Sequence, residues 1–166
     1  AASGLLNNFS LLVEVSTEPT LTENLYLESI LLGMCGEGDT RVFINGKPIG
    51  WTKDKDAFAG CVRNMRRTLS IPPHVSVYSH EPNEIDVVTS SGRPLRPIWV
   101  EGRRSKEDEG CGFYELLERG VIEFIDKREE LSFDVMAIKQ ISKTYFMGNI
   151  VNEIIFANHN QSPRVI

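Results

Sequence analysis

Apolar positions recur along the chain at two spacings, and they divide it into two structured stretches joined by a charged loop. LLNNFSLLVEV (Leu5 to Val15) reads as a loop leading into a largely buried strand. In LTENLYLESILLGM, Leu25, Ile30 and Leu31 with their neighbours form an apolar stripe, Thr22 is placed to cap a helix and Gly33 to end it. The clearest local signal is TRVFINGKPIGW (Thr40 to Trp51). Val42 to Ile44 is a strand, Asn45-Gly46 accepts the positive φ of a type I′ turn, and Lys47 to Trp51 returns as the partner strand. A helix is expected from Asp54 to Leu69, with Phe58, Val62, Met65 and Leu69 on one face and Pro72-Pro73 as its stop. Three short strands follow at Val75 to Ser79, Ile85 to Ser90 and, past the SSGRP turn, Arg96 to Val100.

The pattern breaks at EGRRSKEDEGCG (Glu101 to Gly112), which is charged and glycine-rich and reads as a surface loop and sub-domain boundary. Beyond it, FYELLERG is a short helix ended by Gly120, VIEFID a strand and KREE a solvated turn. LSFDVMAIKQI alternates again, with Leu131, Phe133, Val135, Ala137 and Lys139 on one face. No internal repeat or low-complexity segment is present. The expected fold class is α+β: small mixed sheets with hairpins and a few short helices, in two sub-domains.

A chain of 166 residues, 41% hydrophobic and 25% charged, can bury a real core. Its 18 basic and 23 acidic side chains argue against a protein that coats nucleic acid, because duplex affinity comes largely from neutralising phosphates. One basic contact on an acidic body is still compatible with that balance. Cys35, Cys61 and Cys111 are odd in number and lack Cys-x-x-Cys or Cys/His ligand spacing, so free thiols are expected and no structural zinc. No apolar run approaches the roughly 20 residues of a membrane span. The first residues lack the basic start of a signal peptide, and a soluble, intracellular protein is expected.

Three arginine clusters are candidates for phosphate contact: Arg63/Arg66/Arg67, Arg93/Arg96 and Arg103/Arg104. A solvated face is the preferred reading of each on an acidic chain. Gly36-Glu37-Gly38 and Gly110-Cys111-Gly112 lack the strand-to-helix context of a phosphate loop. The carboxylate pairs Glu107/Asp108/Glu109 and Glu129/Glu130 lie in hydrophilic turns, where general acid–base work is not expected. A cysteine paired with His159, oriented by Asn158 or Asn160, is formally possible, but nothing local activates a thiol.

HNQSPR (His159 to Arg164) stands apart. A turn whose Asn and Ser bond their own backbone accounts for its residue types. The same stretch also holds a guanidinium behind a φ-restricted proline, beside amides that donate and accept, which suits bidentate capture of a phosphate.

HNQSPR resembles the characteristic stretch of the second-largest, β-type subunit of eukaryotic-type multisubunit RNA polymerases. The rest of the chain follows the family's order. GLLNNFSLL (4–12) is similar to the segment ending the fork region, and TRVFINGKPIGW (40–51) to the hairpin opening the first external domain. RNMRRTLSIPPHVSV (63–77) and DVVTSSGRPLRPIWV (86–100) resemble that domain's helix and closing strands, and VIEFIDKREE (121–130) the second external domain's strand and acidic turn.

The resemblance implies four regions: 1–39 the end of the fork and a connecting helix, 40–100 an external 1-like domain, 101–140 an external 2-like domain, and 141–166 the start of the hybrid-binding region. It implies a chain that continues past Arg164 into a catalytic cleft. There Arg164 contacts the phosphates of the incoming nucleotide, supported by His159, Asn160 and Gln161. Catalytic residues and the Mg²⁺ belong elsewhere in the enzyme, and this stretch alone is not catalytic. Partners are the largest subunit, smaller subunits, DNA template, RNA and nucleotide, with no membrane. The family's Glu-Ile-His-Pro stretch is replaced within 141–158 (ISKTYFMGNIVNEIIFAN), where Gly148 is the best anchor, and the second external region is short. That divergence points to a viral or otherwise fast-evolving polymerase, working in the nucleus or, if viral, in cytoplasm or virion. The alternative is a free-standing protein-binding module descended from the same region, docking through the hairpin at 41–51.

Overall fold

The computed structural model describes residues 13–79 and 81–132, with the backbone of 139–140. Its fold is α+β, as expected, with two small sheets. The first sheet is built from β2 (Thr40–Ile44), β3 (Lys47–Thr52), β4 (Ser76–Tyr78) and β5 (Glu84–Val88), in the order β3-β2-β5-β4. The Asn45-Gly46 hairpin forms as expected: φ is 49° at Asn45 and 81° at Gly46, and Ile44 faces Lys47 across the turn. β5 then lies parallel to β2, from Arg41↔Glu84 to Ile44↔Val87, so the two hairpins join through their middle strands.

β1 (Glu14–Val15), β6 (Pro94–Trp99), β7 (Ile122–Asp126) and β8 (Lys139–Gln140) make the second sheet, with β6 bonded to all three others. β6 therefore leaves β2 to β5 and pairs antiparallel with β7, from Leu95↔Asp126 to Trp99↔Ile122. The residue-100 boundary falls in the connection between these two strands. In its described part, the strand expected to be largely buried is short, and Val15 is exposed.

Helix α1 (Leu21–Met34) starts two residues earlier than expected. Thr20, not Thr22, is the cap: its Oγ1 accepts from the Glu23 N–H at 3.2 Å while Glu23 Oε1 accepts from the Thr20 N–H at 3.4 Å. Gly33 lies inside the last turn. Leu27 and Leu31 face the core, whereas Leu25 points outward. Apolar residues surround this helix, so spacing alone could not choose the buried face; the sheet chose it.

Helix α2 (Lys55–Arg67) is capped by Asp54, whose Oδ1 accepts from the Ala57 N–H. Its buried face is Phe58, Ala59, Val62 and Arg66. Leu69 is not on that face but beyond the end of the helix, at φ 60°. The Leu69 N–H reaches the Arg66 carbonyl and the Ser70 N–H the Met65 carbonyl, a Schellman ending that stops the helix before Pro72.

After β6, the charged loop contains a single 3-10 turn, Lys106–Asp108, and α3 (Phe113–Glu118) ends at Gly120, φ 71°, as expected. KREE is not a solvated turn. It opens α4 (Lys127–Ser132), which buries Glu129 completely and leaves Leu131 exposed. Of the alternation expected over 131–141, Phe133, Val135 and Ala137 lie outside the described residues.

The main core packs Leu27, Leu31, Phe58 and Val62 of the helices onto Val42, Ile44, Ile85 and Val87 of the first sheet. A second cluster gathers Trp99, Cys111, Leu116, Val121 and Ile122 beside the second sheet. Burial of each such side chain contributes about 1.5–3 kcal/mol. Where the chain passes from α1 into β2, a Cβ on Gly38 would sit 2.1 Å from the backbone carbonyl of Thr52. Gly38→Ala should therefore push the hairpin off this segment and cost about 1–3 kcal/mol in a urea melt. An unchanged midpoint would show that the approach relaxes freely.

Candidate functional site

Placing Arg66 on the buried face of α2, four residues after Val62, takes a guanidinium out of water. β7 of the second sheet and α4, which follows it, supply its counter-charges. Arg66 is 1% exposed, and its NH1 and NH2 donate to the two oxygens of Glu129 at 2.8 Å each. NH2 also donates to Glu123 Oε2 at 2.8 Å, and NH1 to the Val75 carbonyl at 3.0 Å. Arg67 grips Glu123 with a second fork, Nε at 3.0 Å and NH2 at 2.9 Å. Arg63 approaches Glu129 at 3.4 Å, and the Val77 N–H donates to Glu129 Oε1 at 3.0 Å.

The hub joins α2, β4, β7 and α4, and so locks the two sheets together. Burial by itself would raise the Glu123 carboxyl. The Arg66 charge and the Arg67 hydrogen bonds outweigh it and hold the group down at about 2. Burial likewise pulls Arg66 down, and Glu129 and Glu123 reverse it and push the guanidinium up. A carboxylate so held and so fully hydrogen-bonded acts as a fixed charge, not as a proton carrier, at Glu123. The solvated-face reading of Arg63/Arg66/Arg67 and the hydrophilic-turn reading of Glu129 are thus corrected. Charges on an otherwise apolar stripe are buried when a distant strand delivers partners.

Arg93 is a second joint and is also buried. Its NH1 donates to Ser76 Oγ at 2.6 Å, NH2 to the His74 carbonyl at 2.6 Å and Nε to the Ser90 carbonyl at 2.8 Å, with Asp126 at 3.5 Å. Arg96 pairs with Glu130, and Arg104 lies over the Trp99 ring at 4.5 Å. Arg103 stays exposed and donates to Asn64. Asp108, expected in a hydrophilic turn, is buried: it accepts from the Ser105 N–H at 2.6 Å and meets Arg119 at 3.1 Å.

On the open side of the hairpin, Arg41 lies over the Trp51 ring at 5.0 Å and the Phe43 ring at 5.9 Å, and Trp51 is 43% exposed. All three cysteines are free, and burial pushes the Cys35 thiol up, away from a reactive thiolate. Among the described residues no group of three or more His, Cys, Asp or Glu is arranged to hold a metal ion, and no helix is long and apolar enough to cross a membrane. His159, Asn160, Gln161 and Arg164 lie outside the described residues.

Sequence reasoning missed the hub as a unit. One local signal was available: Arg66 continues the 58–62 stripe at helical spacing, where a charge is out of place. Glu123 carried none, because β7 is buried on both faces and gives no alternation.

Residues 42–101 match the family described as RNA polymerase Rpb2, domain 4. The chain is related over nearly its whole length to second-largest subunits of RNA polymerases. It is similar to the DNA-directed RNA polymerase III subunit rpc2 of Dictyostelium discoideum, 31% identical across 97% of this chain and 12% of that protein. It is also similar to the RNA polymerases IV and V subunit 2 of Arabidopsis thaliana, 27% identical across 98% and 16%. The RNA polymerase II subunit RPB2 of Encephalitozoon cuniculi is 27% identical across 98% and 18%. The chain thus spans less than a fifth of the length of these curated relatives. All three come from cellular organisms, and the viral origin expected from the divergence gains no support from them.

Proposed function

We propose that the chain acts within a DNA-directed RNA polymerase, as part of its second-largest subunit. The observation that carries this reading is the similarity to such subunits across 97–98% of the chain. On this reading residues 40–140 are a scaffold on the outer face of the subunit, and the arginine forks keep its two sheets in one fixed relation. The sub-domains follow the regions 1–39, 40–100, 101–140 and 141–166. Nucleotidyl transfer, its Mg²⁺ and its metal-binding carboxylates are assigned to the rest of the enzyme. The largest subunit, smaller subunits, template and RNA are its partners in the assembly, and the nucleus is its place of work in a eukaryote.

HNQSPR contributes Arg164 to the phosphates of the incoming nucleotide, with His159, Asn160 and Gln161 in support. The warrant is the hexapeptide's resemblance together with the chemistry of a guanidinium fork on phosphate. A charge-assisted contact of this kind is worth about 1.5–3 kcal/mol. In the assembled enzyme, Arg164→Ala should raise the apparent nucleotide KM or slow addition by roughly 10- to 100-fold, with template binding little changed. Unaltered elongation at limiting nucleotide would remove the assignment.

The exposed Trp51 with Arg41 stacked on it favours one other reading, a free-standing module that docks partners through the hairpin. Purifying the native protein separates the two. Co-purification with a large catalytic subunit supports the polymerase, and a free 18.7 kDa monomer without such partners supports the module.

A further inference from the structure

Beside α1 the chain leaves an apolar groove of about 410 Å³. It runs between α1, the 69–73 segment and α3, and its walls include Tyr26, Leu69, Pro72, Pro73, Tyr114 and Leu117. Among the described residues, neither the buried hub nor the hairpin contributes to its walls.

Leu69 makes this groove unlike an accidental dent. The Schellman ending of α2 requires a left-handed residue at this position, where glycine is the usual choice. A leucine held at φ 60° costs roughly 1 kcal/mol against glycine, and its side chain is still 39% exposed. Tyr26, 60% exposed, continues the apolar surface along α1, where Leu21 and Leu25 also face outward. Pro72 and Pro73 offer ring surface without an N–H, so recognition along that wall is by packing.

Charge selects the occupant. Among the described residues, Glu23 and Glu118 line the groove and no lysine or arginine does. Glu23 spends Oε1 on the Thr20 cap. Glu118 forms no ion pair among the described residues. The chain as a whole carries a net charge of −5. We infer that the groove is a docking site for a short segment of another polypeptide chain, one that inserts an apolar or aromatic side chain against Leu69 and sets a lysine or arginine beside Glu23 and Glu118. The inference rests on the groove's geometry and charge and holds whether or not the chain works in a polymerase.

A random 12-residue peptide library displayed on phage and panned against the folded chain tests this, with recovered peptides resynthesised for binding measurements. The expected winners carry one large apolar anchor with Lys or Arg within about four residues. Leu69→Gly should weaken them at least tenfold, and Glu118→Lys should weaken them comparably, more so at low salt. Because glycine prefers the φ that Leu69 is forced into, Leu69→Gly should keep or raise the melting temperature, which separates lost docking from lost folding. Winners without a basic residue, or binding indifferent to both variants, would overturn the proposal. So would concentration-dependent dimerisation abolished by Leu69→Gly, which would make a second copy the occupant.

Discussion

Arg66→Ala should destabilise the fold by about 3–5 kcal/mol, as large a loss as any single substitution described here. The reason lies in what remains behind. Glu129 is fully buried and Glu123 nearly so, and both lose their central counter-charge, so two carboxylates stay out of water with too few donors. A domain of this size is stable by only about 5–15 kcal/mol, so the loss is a large share of the total. Arg67→Ala is the control. Arg67 is a quarter exposed and its removal leaves Glu123 still bonded to Arg66, so a clearly smaller loss is expected. The difference should read directly as a larger drop in urea midpoint for Arg66→Ala at unchanged slope. Equal losses for the two variants would mean that the hub is not centred on Arg66. Replacing Arg66, Glu123 and Glu129 together by apolar residues of similar volume should recover much of the loss, because the penalty belongs to unpaired charge and not to missing attraction.

The same hub predicts how the fold answers acid. Glu123 has a folded value of about 2 against an ordinary 4.5. A carboxyl lowered by folding stabilises the native state when ionised. Its contribution is complete above pH about 4.5 and is lost as pH falls from there through about 2. The size is roughly 3 kcal/mol at full ionisation, taking 1.36 kcal/mol per unit of difference between the states. Wild type should therefore lose about that much more stability between pH 5 and pH 2 than Glu123→Gln, which has no proton to take up there. Urea melts at a series of pH values measure it, and parallel curves for the two proteins would show that Glu123 is not the titrating group. The acid response and the Arg66 effect share a cause. In both, the pairing of a guanidinium on α2 with a carboxylate on β7 or α4 is lost.

These effects also indicate what the hub is for. If residues 40–140 form a scaffold within a large subunit, the two sheets must keep one relative position while neighbouring segments bear on them. Non-directional apolar packing resists separation but permits sliding. Bidentate forks fix distance and angle together, so the arginine–glutamate geometry supplies a register that the core alone does not.

Local signals served well where the chemistry is local. The Asn45-Gly46 turn, the end of α3 at Gly120 and the stripe of Phe58 and Val62 each depend on residues within a few positions of one another, and each is found where the pattern placed it. The cap of α1 missed by two residues because Thr20 and Thr22 are equivalent to propensity, and only Glu23, reaching back, completes the box at Thr20. KREE misled because a run of charges reads as solvent-facing unless its partners are known, and the partners of Glu129 are Arg66 and Arg63, more than 60 residues away. Of the candidate site, HNQSPR was legible as a motif, while the hub's arginines and Glu129 were named only in separate clusters and Glu123 in none.

By itself the amino-acid sequence determined the α+β class, the hairpin and both long helices, and the kinship with second-largest polymerase subunits, because turn geometry, apolar spacing and motif order are written in neighbouring residues. Tertiary structure alone decided that β5 would lie beside β2, that β6 would cross to the second sheet, and which outward-reading charges would be buried. A strand's edge and a charged side chain are each satisfied equally well by water or by a distant partner. Which one it receives is fixed only when chain closure brings that partner within hydrogen-bond reach.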